Sequence, residues 1–471
     1  MTEEAIESLF PNRQSRAQID AWLADVIRSA RTAVSDGSVS PTIDMDQFHR
    51  QLASFDFASP VDFDDVTQWV IDSMVVGAVQ MTHPRYFGLF NPAPSVASEA
   101  ADAIAAAFNP QICVRSHAPV AVDIERHVIE QVASRLGYGA IADGHFTSGG
   151  SEANRTAMVC ALTRAHESYA ARGAMAFAGQ PRVYVSRESH LAWYKIAHEN
   201  GIGRDAVVLV ETDGHGRMDP TLLGQSIETD RRSGFVPIMI VATAGTTNAG
   251  VVDPLSVCRD IADSHGLWMH VDAAWGGALI ASQRYRDVLS GIECADSVTI
   301  DAHKWFATTM GAGMFLTRDT RILREAFSVS TDYMPSNDQS VDLYVTSSQW
   351  SRRFTGLRLF LSLAVAGWTG YEQHVENGIA LIARLNATLA AKGWRVANDS
   401  AMAVTCLLPP DGAANVESIV SRIVDGGEHW VSMTRFEHQP VIRACITNGR
   451  TTSEDVDALA SALHSAALGV G

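Results

Sequence analysis

Near the start of the chain, apolar side chains return at helical spacing in two stretches, with Ile19, Trp22, Leu23, Val26 and Ile27 lining one face of the first. This predicts amphipathic helices over 15–35 and 63–80. Further on the period changes. Short apolar runs at 182–186, 206–210, 236–243, 267–271 and 297–300 alternate with helical stretches, which predicts an α/β fold with a mostly parallel central sheet and helices on both faces. Between 96 and 171 the expected order is helix, helix, glycine-rich turn and long helix. A long helix following Ser351-Arg-Arg-Phe-Thr-Gly-Leu-Arg358 is expected to reach about Ala390. Strands near 403–408, 430–434 and 441–446 and a helix from Thr452 then predict a small C-terminal α+β domain. The organisation expected is an N-terminal helical arm over 1–80, a large domain over 81–370 and a small domain over 371–471.

Composition narrows the function classes. With 36 basic and 53 acidic residues the formal charge is −17, which argues against a nucleic-acid or anionic-membrane surface. The cysteines at 113, 160, 258, 294, 406 and 445 are too scattered for a disulfide framework or a metal knuckle, so a reducing cytoplasm and no metal are expected. The N-terminus has no basic-then-apolar signal pattern, and the longest apolar run, around 236–244, is short enough to be a buried strand. Gly201-Ile-Gly-Arg-Asp-Ala206 imitates a dinucleotide fingerprint but precedes a strand, which excludes it.

Four stretches carry candidate chemistry. Ser297-Val-Thr-Ile-Asp-Ala-His-Lys-Trp-Phe306 reads as a strand and a tight turn that deliver the Lys304 amine to a fixed point, where a desolvated lysine can attack an aldehyde. Leu267-Trp-Met-His-Val-Asp272-Ala-Ala-Trp-Gly-Gly277 reads as a buried strand ending in a carboxylate, then small residues that admit something flat. In a parallel sheet both groups emerge at the carboxyl edge, where ligands bind. Gly144-His-Phe-Thr-Ser-Gly-Gly-Ser-Glu-Ala-Asn154 opens a helix and could cradle a phosphate, although Ser148 or Ser151 could equally be an ordinary N-cap. Val183-Tyr-Val-Ser-Arg-Glu-Ser-His190 ends in a histidine that could stack on a ring or serve only as a structural group. Thr82-His-Pro-Arg-Tyr-Phe-Gly-Leu-Phe-Asn-Pro-Ala-Pro94 reads as a rigid loop, and the polar stretch 320–358 as a mobile one.

In order and spacing, Thr147-Ser-Gly-Gly-Ser-Glu-Ala-Asn154, Ala244-Gly-Thr-Thr-Asn-Ala-Gly250, His270-Val-Asp-Ala-Ala-Trp-Gly-Gly277 and His303-Lys304-Trp305 resemble the group II pyridoxal-phosphate-dependent decarboxylases. That family includes the aromatic-L-amino-acid, glutamate, histidine and diaminobutyrate decarboxylases. The resemblance runs from roughly His83 to the C-terminus and implies a type I fold of the pyridoxal-phosphate-dependent transferases. It also implies a pyridoxal 5'-phosphate cofactor and a homodimer with shared active sites, the N-terminal arm packing on the partner. Lys304 would bond the cofactor's aldehyde, Asp272 would keep its ring nitrogen protonated, and His190 and Ala274 would lie against the ring faces. Gly150, Ser151 and His303 match phosphate-binding positions, Thr246 a position near the ring oxygen, and Leu89 and Phe90 the substrate entrance. Tyr344 is nearest to the family's proton-donating loop tyrosine, with Tyr333 as an alternative.

The expected reaction is decarboxylation of an L-amino acid with an apolar or aromatic side chain, giving the amine and carbon dioxide. Two departures limit what the resemblance carries over, and the second, at Ala192, together with a loop around Tyr344 shorter by about one residue, leaves room for another outcome on the same fold, namely oxidative deamination to an aldehyde, transamination or β-elimination. Asp301 and Ala302 stand where many relatives carry Asn and Pro, and an acid beside the expected phosphate would repel it unless neutralised by His303 or turned away. Ala192, followed by Trp193 and Tyr194, stands where many carry Ser.

Overall fold

The computed structural model describes residues 9–139, 142–329 and 342–469. Three helices come first, α1 (Arg13–Asp36), α2 (Met45–Ala53) and α3 (Phe63–Gly77), each opened by an Asn or Asp whose side chain accepts from the first turn: Asn12, Asp44 and Asp62. They cohere through aromatic contacts, Trp22 edge-on to Phe63 at 5.9 Å and Phe48 stacked on Trp69 at 5.6 Å. Yet none of their residues is buried. α2 is an element that the apolar spacing of the sequence did not announce.

Helices α4 (Val96–Phe108) and α5 (Pro119–Leu136) lead into a seven-stranded sheet ordered β1-β7-β6-β5-β4-β2-β3. Its strands are β1 (Asp143–Thr147), β2 (Pro181–Ser186), β3 (Val207–Val210), β4 (Val236–Thr243), β5 (Trp268–Asp272), β6 (Ser297–Asp301) and β7 (Gly313–Thr317). β2 to β6 run parallel to one another, and β7 runs antiparallel between β6 and β1, so the mostly parallel sheet is as expected. The two strands added beyond β6, β7 and then β1 at the edge, were not expected from the sequence.

The strands are apolar in both directions because both faces are covered. Along β4, Met239 and Val241 join one core with Ala153, Ala157 and Met158 of α6 (Gly150–Ala165), while Ile240 and Ala242 join the other with Leu255, Cys258 and Ala262. Between β2 and β3 lies α7 (Ala192–Glu199). A long helix, α8 (Gly356–Ala390), broken at Gly367 by a left-handed φ of 63°, leads to the C-terminal antiparallel sheet β10-β11-β9-β8. That sheet comprises β8 (Arg395–Val396), β9 (Val404–Leu408), β10 (Ser432–Phe436) and β11 (Gln439–Cys445), and the last helix α9 (Ser453–Leu468) starts from a capping box at Thr452. No helix among the described residues is long and apolar enough to cross a membrane.

Candidate active site

The carboxyl ends of β5 and β6 open into a cavity of about 430 Å³. Its wall brings together Lys304, Asp272, His190, Gly150, Ser151, Ala274, His303 and Phe90, residues drawn from five separate stretches of sequence. Lys304 is aimed by its neighbours. Trp305 and Phe306 are fully buried, the Asp301 and Lys304 carbonyls accept from Lys304 N at 3.1 Å and Ala307 N at 2.9 Å, and His303 N is held by the Ala312 carbonyl at 3.1 Å. The lysine itself keeps 23 % of its side chain exposed, and its Nζ lies 3.0 Å from Asp301 Oδ2.

That ion pair answers the question of the acid at 301. Asp301 sits beneath the glycine turn, its Oδ2 also 3.9 Å from His303 Nε2, so its charge is opposed by Lys304 and faces a titratable imidazole. Glu152, the other acid beside the turn, is turned back to accept from Ser148 N at 2.7 Å and from Gln349 Nε2 at 2.7 and 2.9 Å. The turn demands glycine at 150, because a Cβ there would meet Asp301 Oδ2 at 2.9 Å and the Ala274 methyl at 3.4 Å. The first turn of α6 then faces the cavity with its N–H groups and dipole, a site for a phosphate.

Asp272 closes β5, and its oxygens accept from Asn154 Nδ2 at 2.8 Å and Ala274 N at 3.2 Å. His190 is held by Ala192 N–H donating to its Nδ1 at 3.1 Å, which assigns the ring proton to Nε2 when the ring is neutral. The donor set, lysine amine, carboxylate, flat-walled gap above Ala274 and helix N-terminus, fits the aldehyde, ring nitrogen, ring and phosphate of pyridoxal phosphate.

Three expected site residues are not brought into this cavity. Leu89 is 49 % exposed, because neighbouring Phe90 is the residue turned inward, stacked on Trp275 at 4.1 Å, itself stacked on Trp305 at 5.1 Å. Thr246 lies behind the wall with its hydroxyl accepting from Val251 N at 3.1 Å, and its neighbours Gly245 and Thr247 line the cavity instead. Tyr344 is buried outside the cavity, its ring 5.0 Å from Trp350 and its N–H donating to the Cys113 carbonyl at 3.1 Å. Tyr333 lies outside the described residues.

Sequence reasoning passed over Asn154, although a polar residue on the buried face of α6 was a signal. It also passed over Arg443. This arginine is buried, donates to the Thr247 and Gly88 carbonyls at 2.8 and 2.5 Å, and lies 4.5 Å over the Phe90 ring.

Burial depresses the imidazole of His270, two residues before Asp272, from 6.5 to about 4. The unfolded chain takes up this proton near pH 6.5 while the folded chain refuses it, so the stability the neutral ring contributes is complete above pH 6.5 and is lost as pH falls toward 4. Replacing His270 with Gln is expected to flatten the decline in unfolding free energy between pH 6.5 and 4 by a few kcal/mol, read by denaturant titration of cofactor-free protein. An unchanged slope would contradict a neutral, buried ring.

Residues 51–407 match the pyridoxal-dependent decarboxylase conserved domain. An aromatic-L-amino-acid decarboxylase of Bacillus atrophaeus is 29 % identical over 464 residues, 96 % of this chain and 95 % of the relative. An acidic amino acid decarboxylase of Mus musculus is 33 % identical over 70 % of this chain and 61 % of its own length. Among solved structures, mouse CSAD in apo form superposes with a TM-score of 0.89 at 25 % identity, covering 96 % of this chain and 99 % of that one. A rice structure described as TDC with PLP and tryptamine shares the fold with a TM-score of 0.91 at 22 % identity, covering 98 % and 99 %. With its lysine, carboxylate and glycine turn gathered at one sheet edge and the conserved domain matched across most of its length, the chain belongs to the pyridoxal-dependent decarboxylase family.

Proposed function

We propose that the protein decarboxylates an L-amino acid with an apolar or aromatic side chain, releasing the amine and carbon dioxide. The observation that carries the substrate class is the wall itself. Its flat apolar surface is Phe90 on Trp275, and its cationic or titratable basic side chains are Lys304, His190 and His303, each with a task at the cofactor; no arginine lines it among the described residues. A second substrate carboxylate would face Glu152, Asp272 and Asp301 without a dedicated cation.

When bound, pyridoxal phosphate supplies the electron sink for the pair left at Cα as the carboxylate departs. The chain's own residues do the rest. Asp272, fixed by the donors on both of its oxygens, would hold a proton on the ring nitrogen. Lys304 offers its amine to the aldehyde, and Asp301, 3.0 Å from that nitrogen, holds the ammonium in place when the amine is protonated. His190 and Ala274 would confine the ring between them, and Gly150, Ser151 and His303 would receive the phosphate. Leu89, Thr246 and Tyr344 could reach a ligand only by movement or in an assembly. A homodimer with shared sites supplies such a setting, and supporting it is the arm α1–α3, amphipathic yet without a buried residue.

A second reading keeps cofactor and fold but ends in a carbonyl product. It is favoured by Ala192 in place of a hydroxyl and by the packing of Tyr344 away from this chain's cavity. A panel of L-amino acids, with products followed by mass spectrometry and dissolved oxygen by electrode, separates the two. Amine without oxygen loss supports decarboxylation, whereas aldehyde with oxygen loss replaces it. In the same assay Phe90→Ala is expected to raise KM for the best aromatic substrate roughly tenfold, about 1.4 kcal/mol, with a smaller change in kcat. A KM that does not move would detach Phe90 from the substrate.

A further inference from the structure

Behind Asp272 runs a chain of buried polar groups whose hydrogen-bond directions are forced. Trp268 Nε1–H can only donate, and it does so to Ser297 Oγ at 2.9 Å. At the far end Asn154 Nδ2 donates to Asp272 Oδ2 at 2.8 Å, so the amide oxygen of Asn154 faces the other way, 3.0 Å from His270 Nε2. That oxygen only accepts, so Nε2 carries the imidazole proton. His270 Nδ1 is then the acceptor for the Ser297 hydroxyl, 2.8 Å away, whose oxygen already receives the tryptophan. Thr299 Oγ1, 3.3 Å from His270 Nε2, lies on the same side. Every link has one orientation, and inverting any of them would set two donors or two lone pairs against each other.

The chain is sealed as well as ordered. Ser297 and His270 are fully buried and Asn154 nearly so, and Trp193 lies edge-on to the His270 ring at 5.8 Å and 70°. Trp193 directly follows Ala192, the departure noted in the sequence, and its contact with His270 gives this bulky side chain a structural task. A neutral imidazole in this place agrees with its burial-depressed titration near 4. Buried networks of this kind hold one arrangement when fully satisfied.

We propose that Ser297, His270 and Asn154 are positioning residues that turn the Asp272 carboxylate toward the cofactor's ring nitrogen and hold it there. The proposal rests on the reading of Asp272 as the partner of that nitrogen. None of the three is assigned a contact with the reacting atoms by it; their effect passes through the Asp272 oxygens.

The test uses full-length protein and three variants, with cofactor affinity measured by equilibrium dialysis against pyridoxal phosphate and the visible absorption of bound cofactor titrated with pH. His270→Leu leaves the Asn154 oxygen without its donor, and a loss of cofactor affinity of about tenfold or more is expected, with a displaced pH midpoint of absorption. His270→Gln, which offers one donor and one acceptor, is expected to recover most of both. Ser297→Ala, a smaller perturbation, is expected to shift the midpoint in the same direction and serves if the leucine variant does not fold. Asp272→Asn is the control for the underlying reading. Should it bind the cofactor with unchanged affinity and spectrum, that reading fails and the proposal with it. Should it lose both while His270→Leu and Ser297→Ala match the wild type, the positioning chain alone is overturned. Equal losses of melting temperature in the Leu and Gln variants, with affinity and spectrum intact, would also overturn it by showing a merely structural role.

Discussion

Lys304→Ala is expected to abolish turnover, lowering kcat by at least roughly 10³-fold, about 4 kcal/mol of barrier. The alanine has no amine to bond the aldehyde or to release product from it. The rest of the wall stays in place, since Trp305 and Phe306 anchor the turn independently of the lysine side chain. Cofactor should therefore still enter, held by the glycine turn and Asp272, but come away on dialysis. A second consequence follows from the 3.0 Å pair with Asp301. Without the ammonium, Asp301 remains as a buried acid beside the phosphate site, so phosphate-bearing cofactor should bind more weakly than the loss of the covalent bond alone predicts. Lys304→Ala with Asp301→Asn should regain part of that affinity while remaining inactive. Steady-state kinetics and dialysis check both, and a Lys304→Ala protein with appreciable turnover would exclude the lysine from the chemistry.

Asp272→Asn is the second large effect. An amide cannot balance a charged ring nitrogen, so the electron sink becomes shallow and kcat is expected to fall roughly 10²–10⁴-fold, about 3–5 kcal/mol, with KM changed far less. The substitution also sets an amide against Asn154 Nδ2 and the Ala274 N–H, both donors, so its oxygen can satisfy one of them and its own NH₂ meets the other unfavourably. The expected split, kcat down and KM nearly constant, distinguishes a group acting on the reacting electrons from one that only shapes the pocket. A variant with unchanged kcat would remove Asp272 from its role.

Where apolar runs were long and uninterrupted, as at β4, the sequence showed the strand to its ends. It did not show β1 or β7. Asp-Gly-His-Phe-Thr has too little β-propensity to stand out, and Gly-Met-Phe-Leu-Thr is too short to separate from a buried turn; β7 becomes a strand by pairing with β6, and β1 by pairing with β7. At the site, residues that end strands or open helices were legible, because topology alone puts them on one edge. Lys304, Asp272, His190 and Gly150 are of that kind. What was not legible depended on side-chain direction. Leu89 and Phe90 are neighbours of similar character, and only the stacking of Phe90 on Trp275 decides which one turns inward. Thr246 and Thr247 differ in the same way, since the former is taken up by Val251. The contact of Arg443 with Phe90 joins positions at opposite ends of the chain, and periodicity cannot report it.

One amine, Lys304, is expected to hold the cofactor, and the composition of the chain makes this directly testable. The chain contains only three lysines, at 195, 304 and 392. Reducing the cofactor-loaded protein with borohydride would fix pyridoxyl phosphate to whichever amine carries it, and peptide mass spectrometry would locate the label. The expected result is one label per chain on the peptide containing Lys304 and none on those containing Lys195 or Lys392. A label on either of the other two, or cofactor bound in equal amount with no label at Lys304, would contradict the account.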